Sequence, residues 1–253
     1  MPPTRSLPHL SASGVNQFIG CRLQWYYERI LQLPKPFISP ALVFGSLFHR
    51  LVAETLVVGR TPDLEAIRAQ WTQQLEHDTV RFDTKDDPAE YPALAQRMLD
   101  AYLAEVQHYQ IECFEKAFLV DLGLQAPLVG ALDLIERTPD GGVLIVEIKT
   151  ARASYSDQKL GHHLQAALYS LAAEELYGQD AVLCIDLVTK TRQPKAFRYF
   201  LDHDPIGRQQ TRALLAAVEE DMLTGPIYPN KEDNFRCPNC PYNTPELCQS
   251  WHG

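Results

Sequence analysis

The feature that most constrains the fold is a pair of strand-like runs joined by Pro139-Asp140-Gly141-Gly142. Pro, Asp and Gly in succession supply the dihedral angles of a tight turn, so the runs at 127–136 and 143–149 pair as an antiparallel hairpin. Along Val143-Leu144-Ile145-Val146-Glu147-Ile148-Lys149, side chains alternate between faces. Leu144, Val146 and Ile148 share one face; Val143, Ile145, Glu147 and Lys149 share the other. Glu147 and Lys149 therefore project side by side, about 7 Å apart. With the hairpin centred on Asp140, Asp133 of Gly130-Ala131-Leu132-Asp133 stands opposite Glu147. Directly opposed residues place their Cβ atoms about 5 Å apart on one face. Two carboxylates that close repel each other unless a cation lies between them, and a hard ion such as Mg2+ or Mn2+ takes oxygen ligands. A slip of one residue would undo the pairing. Taken alone, Glu147 and Lys149 read better as a weak ion pair on a surface strand; the cross-strand Asp133 and the motifs around it reverse that preference.

Around this hairpin the chain reads as alternating helices and strands. Ser11 or Ser13 caps a first helix reaching about Ile30, and Pro34 and Pro36 close that region. Helices follow at 41–58, 63–82 and 89–109, then strands at 113–121, 127–136 and 143–149. A helix at 157–177, strands at 181–189 and 195–201, and a helix at 205–223 complete the order before a cysteine-rich tail. The pattern predicts an α/β or α+β fold: a mixed central sheet flanked by helices, with a helical insertion over 41–110, all within one domain spanning 1–253. The longest apolar run is the six residues from Ala213 to Val218, too short to span a membrane. The N-terminus lacks the apolar core of a secretory signal, which points to a cytoplasmic protein.

The net charge of -9 argues against a nucleic-acid partner only until its distribution is read. Residues 61–112 hold eleven acidic and four basic residues, whereas 188–201 contain Lys190, Arg192, Lys195 and Arg198 and no acid. Screening confines such fields to about 10 Å, so a locally basic surface on an acidic chain still binds phosphate. The plainer reading of that hairpin is a solvated edge strand whose lysines prevent aggregation.

Two further positions gain meaning beside the carboxylates. His49 sits at helical spacing with Leu42, Gly45, Ala53 and Leu56, where a lone histidine is ordinarily a satisfied core residue. The sharper reading is a neutral imidazole ligand. Gln165 and Tyr169 lie one helical turn apart on one face. Next to a metal centre they would orient the lysine or hydrogen-bond a phosphate or base.

Cys237-Pro238-Asn239-Cys240 is a C-x-x-C followed after seven residues by Cys248. Thiolates two residues apart converge on one centre, and Cys21 in the first helix is the candidate fourth ligand. Spacing alone leaves an iron–sulfur cluster and structural zinc both open. Cys113 and Cys184 lie in apolar strand contexts and read as small core residues.

The order Gly-x-x-x-His (45–49), Gly-x-x-Asp (130–133), Glu-x-Lys (147–149), Gln-x-x-x-Tyr (165–169) resembles the RecB-type branch of the PD-(D/E)XK nuclease superfamily. That branch includes the RecB and AddB nuclease domains and the CRISPR-associated RecB-like exonucleases. The stretch from Leu10 to Cys21 is similar to the family's opening segment, whose cysteine joins three C-terminal cysteines around a 4Fe–4S cluster. The resemblance implies a restriction-endonuclease-like fold, with 1–30 and 235–253 together forming the cluster-binding region. It implies that His49, Asp133, Glu147 and the backbone carbonyl of Ile148 bind Mg2+ or Mn2+, and that Asp133, Glu147 and Lys149 are catalytic. It implies Cys21, Cys237, Cys240 and Cys248 as ligands of a 4Fe–4S cluster, with structural Zn2+ as the alternative. Gln165, Tyr169, Arg152, Lys190, Arg192, Lys195 and Arg198 would contact or support DNA. Glu115 matches an acidic position upstream. Two departures stand out: Glu147 replaces the more usual Asp, and seven residues before the last cysteine is a long spacing.

The implied activity is metal-dependent exonucleolytic hydrolysis of DNA, single-stranded or with free ends, in repair, recombination or CRISPR-type processing. No G-x-x-x-x-G-K-[ST] motif is present, so unwinding would come from a helicase partner or a CRISPR-adaptation protein. The rivals are a catalytically silent nuclease fold that binds DNA or scaffolds a complex, and a zinc-stabilised interaction module.

Overall fold

The computed structural model describes residues 5–77, 79–84, 86–178, 181–201, 204–232 and 236–251. Six strands form one mixed sheet: β1 (Leu10–Ser11), β2 (Gln110–Val120), β3 (Leu128–Arg137), β4 (Val143–Ala151), β5 (Val182–Thr189) and β6 (Ala196–Leu201). The helices are α1 (Ala12–Gly20), α2 (Arg22–Trp25), α3 (Pro40–Leu56), α4 (Leu64–His77), α5 (Tyr91–Glu105), α6 (Asp157–Gly161), α7 (Leu164–Tyr177) and α8 (Pro205–Thr224). No described helix is long and apolar enough to cross a membrane. The architecture is the mixed α/β sheet with flanking helices that the sequence pattern predicts.

The sheet organises around β3. One edge of β3 pairs antiparallel with β2 along its length. The other edge is divided: Leu128 and Val129 pair parallel with β1, and Leu134 to Arg137 pair antiparallel with β4. The segment from Gly130 to Asp133 lies in the fork between β1 and β4. Beyond β4, β5 is parallel and β6 antiparallel to β5. Gly141 makes the β3–β4 turn with φ 87°, a left-handed conformation that other L-residues resist.

Both faces of the sheet are covered, as a parallel β4–β5 pair requires. Leu144, Val146 and Ile148 pack with Leu134 against Phe44, Leu47, Phe48 and Leu51 of α3 and against residues of α4 and α5. Ile145, Ile135 and Ile185 pack on the opposite side with Val15 and Phe18 of α1, Leu168 and Ala172 of α7, and Leu215 and Met222 of α8. The strand at 143–151 is thus buried on both sides, which removes the surface-strand reading of Glu147.

Two expected helices are broken where the site needs a change of direction. The helix expected to run to Ile30 is interrupted at Cys21, which is extended with φ −164°, and resumes as α2 and a π-helical turn over Tyr26–Ile30. Ser11 caps α1, accepting the Gly14 N–H at 3.2 Å. The helix expected over 157–177 divides into α6 and α7 at His162 and His163. His163 caps α7, its Nδ1 accepting the Ala166 N–H at 3.3 Å.

Candidate active site

Asp133, Glu147, Lys149, His49 and Gln165 meet at the fork of β3. The register of β3 with β4, continued one residue past Leu134 and Val146, sets Asp133 opposite Glu147. Because the strands diverge there, the Ile148 N–H loses its strand partner, and Asp133 Oδ2 accepts it at 2.8 Å. From α3, His49 Nε2 lies 3.0 Å from the Ile148 carbonyl oxygen. The Ile148 peptide is therefore held at both ends, and its carbonyl partners His49 rather than standing open. With Nε2 donating to that carbonyl, a neutral ring turns its Nδ1 lone pair towards Asp133 Oδ1, 3.6 Å away. Burial pushes the His49 pKa down and so favours the neutral ring.

Glu147 is only 2% exposed. Its Oε1 takes the Lys149 ammonium at 2.5 Å, while its Oε2 is buried with no partner among the described residues. Gln165 Oε1 accepts a second Lys149 hydrogen bond at 2.7 Å, which fixes the ammonium between α7 and β4. Burial and the neighbouring Asp133 push the Glu147 carboxyl up; burial pushes Asp133 up against the opposing pull of the Ile148 N–H. Burial works to lower the Lys149 pKa, but the Glu147 charge outweighs it and the ammonium is retained.

This donor set fits a divalent cation. It presents an orphaned buried carboxylate oxygen, two repelling acids, and a lone pair facing a carboxylate. Among the described residues, no group of three or more His, Cys, Asp or Glu side chains is placed to hold a metal ion as it stands, here or at the cysteines.

Gly130 explains itself at the fork. A Cβ there would lie 2.6 Å from the Phe118 ring and 3.0 Å from the Tyr169 hydroxyl. Tyr169, 6% exposed, fills the space behind the hairpin beside Gln165 and the Ala131 backbone. Glu115 interrupts β2: it has φ 53°, and the β2–β3 ladder skips the position opposite Asp133. Its charge reaches both Asp133 and His49. Tyr155 was not found by sequence reasoning. It is half-buried, acts electrostatically on Lys149 and Glu147, and lies with its ring 5.9 Å from that of His163. No motif spacing includes it; its only signal is its place in the short loop after the active strand.

The basic residues separate. Arg152, Lys190 and Arg192 line a cleft of about 1670 Å³. Lys195 is exposed beside the β5–β6 turn, outside that lining. Arg198 does not join them, which corrects its grouping with a DNA-contacting surface. Its guanidinium is 10% exposed and bonds Asp186 and Glu136, both fully buried. Tyr102 donates to the same Asp186 at 2.7 Å, and His108 contacts Glu136 at 2.6 Å. Arg198 pairs directly with Asp186 in the β5–β6 register. An aspartate inside Cys184-Ile185-Asp186-Leu187 was the available signal, because a buried carboxylate demands a cation.

At the far end, Cys21, Leu23 and Cys248 form a small buried cluster. Burial raises the Cys240 thiol pKa against the pull of the Tyr242 backbone, and Cys21, Cys248 and Cys237 add smaller electrostatic contributions. All six cysteines are free thiols, and Cys184 lies in the core.

A model of the PD-(D/E)XK nuclease superfamily matches residues 9–249. No curated protein matches the chain significantly. A solved structure titled "Putative exonuclease", from Eubacterium rectale, is similar with a TM-score of 0.56 at 15% identity, covering 94% of this chain and 88% of that one. At that identity the likeness speaks for the fold alone. The structure of SSO0001 aligns at 18% identity over 89% of this chain and 95% of that one, with a TM-score of 0.39 that carries no weight. The family match takes in nearly the whole chain, including the fork of β3 and the cysteine tail: the chain belongs to the PD-(D/E)XK nuclease superfamily.

Proposed function

We propose that this chain is a divalent-metal-dependent deoxyribonuclease, an exonuclease acting on single-stranded or free-ended DNA. The observation that carries the reading is the pairing of half-buried Asp133 with buried Glu147 across the hairpin, with Glu147 Oε2 unpartnered among the described residues and Lys149 fixed beside it. His49, Asp133, Glu147 and the Ile148 carbonyl would hold Mg2+ or Mn2+. When bound, the ion would polarise the scissile phosphate and lower the pKa of water.

The chain's own groups supply the rest. Lys149 keeps its proton, so it serves as a charge and hydrogen-bond donor and not as a base. Gln165 fixes that ammonium. Water adds to phosphorus and gives its proton to solvent, the P–O bond to the leaving oxygen breaks, that oxygen takes a proton from solvent, and Lys149 offsets the negative charge gathered in between. Tyr169 buttresses the hairpin through Gly130. Arg152, Lys190 and Arg192 contact the DNA backbone.

The finer reading is a RecB-type enzyme of repair, recombination or CRISPR-type processing, acting beside a helicase or adaptation partner. In it, Cys21, Cys237, Cys240 and Cys248 bind a 4Fe–4S cluster, or Zn2+ in its place, and join 1–30 to 235–253. The neighbouring thiols support this part. The test is digestion of end-labelled single- and double-stranded DNA with anaerobically purified protein and manganese. Mononucleotide or short products that require the metal support the reading. Binding without cleavage at any manganese concentration returns the chain to a silent DNA-binding fold.

A further inference from the structure

We propose that Gly45 keeps the face of α3 clear so that a single polynucleotide strand passes over it from the basic cleft to the carboxylates; the inference rests on the nuclease reading. Glycine inside a helix is destabilising relative to alanine. Gly45 stands well inside the 17-residue α3. Its φ is not in the left-handed region, so its backbone does not call for glycine. A Cβ added there would meet nothing within 4 Å. The fold alone therefore gives no reason for this residue, in contrast to Gly130, whose Cβ would strike Phe118 and Tyr169.

The open space has a definite position. Gly45 lies one turn before His49 on the same helical face and one turn after Leu42, which is 62% exposed. Leu42 lines the cleft of about 1670 Å³, together with Arg152, Lys190 and Arg192. The cleared face thus runs from the cleft to the imidazole beside Asp133. Lys190 is joined to the end of the active strand, its N–H donating to the Ala151 carbonyl at 2.6 Å. Neither Lys190 nor Arg152 forms an ion pair among the described residues, and the two charges act on each other. Two cations that act on each other and have no ion-pair partner among the described residues suit a phosphodiester.

The cleft also selects for one strand. Asp86, Asp87 and Glu90 line it with the cations. A single strand can turn its one line of phosphates to the cations and its bases to the carboxylates. A duplex carries two lines of phosphates and brings one against the acids.

The test compares wild type with Gly45→Ala and Gly45→Leu. Three quantities are read: melting temperature, affinity for labelled single-stranded and duplex oligonucleotides in EDTA, and manganese affinity by calorimetry. Gly45→Ala should melt about 2–4 °C higher, because the helix loses its glycine. Gly45→Leu should bind the single strand at least about tenfold more weakly while binding manganese as wild type does, a loss of about 1.4 kcal/mol. Wild type should prefer the single strand over the duplex. Unchanged single-strand binding by Gly45→Leu, or equal binding of duplex by wild type, overturns the proposal. If wild type fails to bind manganese, the nuclease reading falls, and the metal-free binding comparison still decides the role of Gly45.

Discussion

Glu147 is withdrawn from water and Asp133 largely so, its side chain 13% exposed, with one neighbouring ammonium, Lys149, to offset the two carboxyls. Both carboxyls are pushed above their ordinary range, Asp133 to about 6 and Glu147 to about 7. An acid whose folded value is raised binds its proton more tightly in the folded state. Its cost to stability is absent below the unfolded values near 4 and complete once the pH has risen through the folded ones. The metal-free protein should therefore lose stability from this pair between about pH 4 and 7. In EDTA, the melting temperature of Glu147→Gln relative to wild type should rise across that window. A difference that stays flat with pH would show that Glu147 is not a strained acid. Bound manganese should remove the same pH dependence in wild type.

At the scale of elements, the site depends on where β3 parts from β4. Gly130→Ala should lower stability by about 1–3 kcal/mol in urea unfolding, because its methyl enters the packed Phe118 and Tyr169. A variant as stable as wild type would show that those side chains yield freely. Much of this scale was legible in the sequence. The hairpin register follows from a turn whose residues fix its centre, so the sequence by itself aligns Asp133 with Glu147. Alternation assigned Leu144, Val146 and Ile148 to one face. What escaped were features with weak local signals. His163 is an uncommon N-cap, so the break that turns Gln165 towards Lys149 was read as continuous helix. β1 has two residues, too few to show a period. Arg198 was grouped with cations near it along the chain, whereas its position depends on which face of β6 it occupies and on Asp186 opposite.

Over the whole molecule, two polar assemblies tie distant segments together. Arg198, Asp186, Glu136, His108 and Tyr102 join α5 and the segment after it to β3, β5 and β6. Arg198→Met should cost about 3–5 kcal/mol, since it leaves two buried carboxylates without their cation. Restored stability in Arg198→Met with Asp186→Leu and Glu136→Leu would show that the penalty is electrostatic; no recovery would contradict that origin. The second assembly joins the chain's ends, where Cys21 and Cys248 pack together. The tail is also held by Tyr242, 1% exposed; on the proposed reading, metal ligation by the four cysteines should add to its stability. Alanine at Cys21, Cys237, Cys240 or Cys248 should each release the metal and lower the melting temperature, while Cys113→Ala and Cys184→Ala keep full metal content. Iron, sulfide and zinc analysis of the six variants checks this, and loss of metal from Cys113→Ala would assign a different ligand.

On the proposed reading, the Asp133–Glu147 pair hydrolyses DNA with a divalent ion. This is tested most directly by the cleavage rate of an end-labelled single strand across a manganese titration, in wild type, Asp133→Asn and Glu147→Gln. The wild-type rate should be zero without metal and saturate with manganese, and each folded variant should lose at least about a thousandfold, about 4 kcal/mol of transition-state stabilisation. Wild-type rates in either variant, or cleavage that persists in EDTA, would contradict it.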